Sequence, residues 1–124
     1  MASDISKKLI VFRLVFGILI VMVSLLSTFP VDTEAHFGSD KLGHFFAYAM
    51  LMIWGSVAFP HRRNIWPVAC FLVGLGALLE VVQSLIPSRT ADWLDLAANF
   101  AGVAVGAAIY PVTIAIGRIL RFVD

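Results

Sequence analysis

The sequence predicts an all-α polytopic membrane protein, a bundle of four transmembrane helices in one domain spanning residues 1–124. Three observations carry that reading. Of the 124 residues, 60% are hydrophobic and only 14% charged, against about 45–50% and about 25% in a typical soluble domain. Mean hydropathy is +0.95. The apolar residues also gather into four runs close to the roughly 20 residues a helix needs to cross hydrocarbon. A soluble domain of this length would expose much of that apolar surface and aggregate. Disorder, a nucleic-acid-binding module and a disulfide scaffold are disfavoured with it. The single cysteine, Cys70, has no internal partner for a disulfide.

The first span, about residues 9–29, is interrupted only by Arg13 and small hydroxyl residues. Lys7 and Lys8 precede it, as in a signal peptide. Its length exceeds the usual core of roughly 7–15 residues and no small-x-small cleavage site follows, so it is read as a retained helix. The second span, about 42–59, carries His44 near its start. The third, about 65–86, carries Glu80 and Gln83 near its end. The fourth, about 94–120, opens with Asp95 and Asn99 and continues in Gly, Ala, Val and Ile. Pro30, Pro60 and Pro87 punctuate the ends of the first three, while Pro111 should kink the fourth or mark where it leaves the hydrocarbon.

Charge sets the orientation. Lys7, Lys8, Arg13, Arg62, Arg63, Arg118 and Arg121 fall on one side of such a bundle, and Lys41 and Arg89 on the other. The positive-inside tendency then places both termini and the 60–64 loop in the cytoplasm. The connections around 30–41 and 87–93 face outward.

The unusual polar residues gather at the outer ends. Asp40, His44 and Tyr48 follow i, i+4, i+8 spacing and share one helix face. The third helix closes with Glu80, Gln83 and, beyond Pro87, Arg89. The fourth opens with Asp92, Asp95 and Asn99 and runs through Gly102 and Gly106. From the rise per residue, Glu80, Asn99 and Tyr48 each lie about 10–12 Å inside a helix end. His44, Gln83 and Asp95 form a middle layer, and Asp40, Lys41, Arg89 and Asp92 a rim. Three helices thus bring polar groups to matching depths on one side.

Plainer readings stand beside each of these. Ser39 or Asp40 suits the cap of the second helix, and Asp92 with Asp95 the cap of the fourth. Lys41 and Arg89 suit head-group anchors, and His44 lies near enough to the interface to be hydrated. Gly102 and Gly106 have the Gly-x-x-x-Gly spacing of close helix packing. Trp54, Trp66 and Trp93 read as interface belts. Glu80 resists a plain reading best, because a charge at a helix centre costs at least about 2.5–3.5 kcal/mol. It should be protonated, paired or facing a wet cavity.

The ordered set Asp40-Lys41-x-x-His44-Phe45 with Tyr48, Glu80-x-x-Gln83, Pro87-x-Arg89, Asp92-x-x-Asp95 and Asn99-x-x-Gly102-x-x-x-Gly106 resembles the VanZ-like family of small bacterial membrane proteins. It covers slightly over half the chain, and the first helix matches only in type. The resemblance implies the four-helix fold and an envelope theme, since the founding member is associated with resistance to teicoplanin-type glycopeptides. It implies no settled reaction.

The expected function is an outward-facing charged site for the head group of an anionic envelope lipid or lipid-linked cell-wall precursor. Arg89 and Lys41 would contact phosphate. Asp40, Tyr48, Gln83 and Asn99 would complete ligand binding. A catalytic version of the same site would use His44, Glu80, Asp92 or Asp95 as acid, base or nucleophile. Nothing in the spacing selects a reaction, and no metal or cofactor is expected, since a set of His44, Glu80 and Asp95 contains one imidazole. The alternatives are an accessory subunit whose buried network only specifies packing and, with less support, a proton or cation transporter. A homo-oligomer or a membrane partner protein would be the protein partner; nucleic acid would not.

Overall fold

The computed structural model describes residues 2–29, 37–87, 91–120 and 123. Its helices are α1 (Ala2–Thr28), α2 (Phe37–Ala58), α3 (Ile65–Ser84), α4 (Trp93–Ala108) and α5 (Tyr110–Ile119), with a single 3₁₀ turn at Arg62–Asn64 leading into α3. No strand occurs among the described residues.

Cross-helix contacts fix the directions. Arg13 of α1 donates from Nε to the Ala58 carbonyl at the far end of α2, 3.2 Å away. Gln83, near the end of α3, donates from Nε2 to the Ser27 carbonyl near the end of α1, at 2.6 Å. Lys41 and Asp95, each near the start of α2 and α4, meet at 3.1 Å. Successive helices therefore alternate in direction, with α2 and α4 running parallel. α2 is the central element and packs most extensively on α4.

Close approach of α2 and α4 depends on two residues without side chains. A Cβ on Gly102 would strike the Phe45 carbonyl, and one on Gly106 would lie 2.6 Å from Met52 Cβ. In lipid, helices gain little from hiding apolar surface, so van der Waals contact across such small-residue faces holds them together. Phe16, Tyr48, Leu51, Met52, Leu72 and Val103 fill the core beside this seam.

The fourth apolar run is broken, as Pro111 led one to expect. α4 stops at Ala108, and α5 leaves it at 50°. Pro111 lies in the first turn of α5, where its missing N–H has no helical partner to lose. Tyr110 pins the bend by donating from its hydroxyl to the Pro60 carbonyl at 2.6 Å.

The distribution of polarity is inverted relative to a soluble protein. Leu14, Ile18, Trp66, Leu78 and Phe100 are exposed, whereas Ser56, Glu80, Gln83, Asp95 and Asn99 are buried. Residues 4–28 and 62–84 each form a helix long and apolar enough to cross a membrane, and the bent α4–α5 pair makes a third if taken as one span. α2 has 22 residues but carries Asp40, Lys41, His44 and Tyr48, so its apolar stretch is diluted. The chain is thus an all-helical membrane protein with two or three spans by length and composition.

A candidate site where α2, α3 and α4 meet

The site grows from the first turns of α2 and α4. Asp92 caps α4, its Oδ1 accepting from the Leu94 backbone N–H at 2.9 Å, which satisfies one of the free donors of that helix end. Its other oxygen accepts from Lys41 Nζ at 2.7 Å. Lys41 also donates to Asp95 Oδ1 at 3.1 Å. The cap and the ion pair are therefore one device. Lys41 and Asp92 lie outside the apolar runs. Lys41 holds the Asp92 carboxyl below its ordinary range, helped by the Leu94 N–H. The two carboxylates raise the Lys41 ammonium above its usual value, Asp92 first.

One turn deeper, His44 Nδ1 lies 3.0 Å from Asn99 Oδ1. The amide oxygen can only accept, so the ring donates to it from Nδ1. Nε2 points between Asp40 Oδ1, 3.8 Å away, and Asp95 Oδ2, 3.9 Å away. The His44 and Asp95 side chains are only 10% and 11% exposed, while Asp40 is 58% exposed. Asp40, His44 and Asp95 present three ligand atoms within 4.8 Å of one another.

Glu80 approaches from α3 and is buried. The Asp92 backbone N–H donates to its carboxylate, and Asp95 and His44 lie near enough to interact with it electrostatically. Lys41 is engaged by Asp92 and Asp95, and Arg89 lies outside the described residues. Beneath this layer Tyr48 is 1% exposed, and its hydroxyl has no hydrogen-bond partner among the described residues.

The fold therefore brings together Asp40, Lys41, His44, Glu80, Asp92, Asp95 and Asn99. Gln83 points elsewhere, because its amide joins α3 to α1. Asp40 lies within the first turn of α2, so it does not cap that helix. Ser39 is a residue whose side chain is not described. Gly76 was not singled out from the sequence: a Cβ there would lie 3.0 Å from Asn99 Nδ2 and 3.3 Å from the Tyr48 ring. That residue gives Tyr48 and Asn99 their room, and the Gly74-x-Gly76 pair in a polar-ended helix was its signal. An apolar groove of about 410 Å³ lies among α1, α2 and α5, lined by Phe12, Trp54, Val57, Val112 and Ile116 among others. It is separate from the polar cluster.

A family model described as VanZ/LLP1 matches residues 3–115, most of the chain. No curated protein and no solved structure matches it.

Proposed function

The chain belongs to the VanZ/LLP1 family, and from that membership we propose that it binds the head group of an anionic envelope lipid or lipid-linked cell-wall precursor. The observation that carries this reading is the network of Asp40, Lys41, His44, Glu80, Asp92, Asp95 and Asn99 at one end of an otherwise apolar bundle. Ionisable groups at membrane depth are costly to keep, and they concentrate where a polar ligand or pathway needs them. In this reading α1–α4 each cross a bacterial inner membrane, both termini are cytoplasmic, and the network opens to the outer leaflet. The alternation of helix directions supports four crossings, and enclosure by its neighbours lets α2 be less apolar than a lipid-facing span. Arg89 and Lys41 would meet the phosphate, with Lys41 exchanging part of its contact to Asp92. Hydroxyl and amine groups of the ligand would face Glu80, Asp95 and Asn99. The family theme extends the reading to a change in teicoplanin susceptibility on expression.

Self-satisfaction of the network favours a second reading, an accessory subunit in which it only orders the helices. His44 pairs with Asn99, Lys41 with two carboxylates, and Gln83 with α1. Lipid co-purification separates the two. With lipid binding, Lys41→Ala combined with Arg89→Ala strips the co-purified phospholipid or polyprenyl-phosphate lipid while the helices stay folded. Unchanged lipid in that double variant overturns the proposal. A steep fall in melting temperature for Glu80→Gln, with no lipid dependence in either protein, supports the accessory reading.

A further inference from the structure

We propose that Asp40, His44 and Asp95 form a binding site for a divalent transition metal of the zinc class. Three independent features of the geometry converge on it. His44 is nine-tenths buried, and its Nε2 lies 3.8 and 3.9 Å from two carboxylate oxygens, outside hydrogen-bond reach of both. Metal bonds of about 2.0–2.2 Å separate neighbouring ligand atoms by roughly 3–4 Å, so these spacings suit atoms that share an ion.

The second feature is the tautomer. A metal-bound imidazole almost always donates its other N–H to an oxygen that orients the ring. Asn99 supplies that oxygen to Nδ1 at 3.0 Å, so Nε2 is left as the ligand atom. Lys41 plays the matching part for Asp95, holding Oδ1 at 3.1 Å while Oδ2 turns to His44. Both buried ligands are thereby aimed.

The third feature is charge. Among the described residues, Asp92 and Asp95 share the one Lys41 ammonium, while Asp40 lies beside His44 and buried Glu80 lies near Asp95, so carboxylates outnumber ammonium groups here. A dication balances that excess, and buried charges need such pairing. One imidazole and two carboxylates suit zinc and, less selectively, manganese. Three protein ligands leave a fourth position for water or another oxygen ligand. Asp40, with its exposed side chain, has the freedom to move in toward the other two ligands. The sequence grouped His44 with Glu80 and Asp95; the fold puts Asp40 in the position given there to Glu80.

The inference stands apart from lipid binding, since metal is measurable on delipidated protein. Detergent-solubilised full-length chain is stripped with a chelator and dialysed against zinc, and the bound metal is measured by elemental analysis. Cobalt in place of zinc adds a visible absorption band when bound at low coordination number. One zinc per chain and a cobalt band are expected in the wild type. Asp40→Asn changes an exposed side chain, so the fold persists and affinity falls at least about tenfold. Asn99→Ala keeps all three ligands, yet loss of the orienting acceptor weakens binding by about 10–100-fold. His44→Ala abolishes the cobalt band. Failure of the wild type to hold stoichiometric zinc overturns the proposal, as does binding that survives both Asp40→Asn and His44→Ala.

Discussion

Asn99 and Tyr48 touch the same glycine, yet their energetic positions are opposite. Asn99 is 2% exposed and spends its amide oxygen on His44. Interhelical hydrogen bonds of this kind in membranes contribute about 0.6–2 kcal/mol. Asn99→Ala should therefore destabilise the protein by an amount in that range, read as a lower thermal midpoint in detergent, and an unchanged midpoint would show that the bond contributes nothing. Tyr48 buries a hydroxyl with no partner among the described residues, and an orphaned polar group costs about 1–3 kcal/mol. Tyr48→Phe should leave stability unchanged or raise it, as measured in the same melting experiment. A clear fall would mean that the hydroxyl makes a contact the chain depends on. Gln83 belongs with Asn99 on this scale. Its spacing from Glu80 suggested a shared site, but rotation around α3 turns its amide to the Ser27 carbonyl.

At the scale of elements, the α2–α4 seam is the most sensitive place in the molecule. The obstruction at Gly102 is backbone, the Phe45 carbonyl and the Ala49 nitrogen, so no rotamer change relieves it. Gly102→Val should separate α2 from α4 and, by overpacking, cost at least about 1–3 kcal/mol. It should also part Lys41 from Asp95, which makes loss of zinc or lipid retention a second readout. Gly74 provides the contrast. Nothing lies within 4 Å of a Cβ there, and alanine is the better helix former by up to about 1 kcal/mol. Gly74→Ala should melt at or above the wild-type temperature. Equal effects at the two positions would remove the argument that the seam is set by small residues. The spacing of Gly102 and Gly106 was legible in the sequence, because it needs only the helical period. Its partner was not, since any of the other helices offered an apolar face.

For the whole molecule, the two ends differ in chemistry. Arg13 lies over the Phe59 ring at 5.2 Å, with Arg62 and Arg63 in the adjacent turn. Asp40, Glu80, Asp92 and Asp95 gather at the far end. Trp66 and Trp93 begin α3 and α4 at these opposite ends and are 76% and 74% exposed, as befits aromatic residues at two water interfaces. The proposed topology predicts a labelling pattern. With the one cysteine removed by Cys70→Ala, intact cells treated with a membrane-impermeant maleimide should label Ala91→Cys and spare Arg62→Cys. The reverse pattern would invert the protein in the membrane.

Composition and the run lengths of apolar residues determined by themselves that this chain is helical and lives in lipid, because both follow from local periodicity and solvent preference. The positions of Asp40, His44, Asp92, Asp95 and Asn99 at helix ends were equally readable, since depth is only residue count times rise. Tertiary structure alone decided which of them meet. Lys41 takes Asp92 and Asp95 and leaves Glu80 to a backbone N–H; His44 takes Asn99 and aims its second nitrogen at Asp40 and Asp95. Those pairings depend on the rotation of each helix about its axis and on the parallel approach of α2 and α4. Rotation is set by packing around Gly76, Gly102 and Gly106, contacts between residues far apart in the chain that no local pattern encodes.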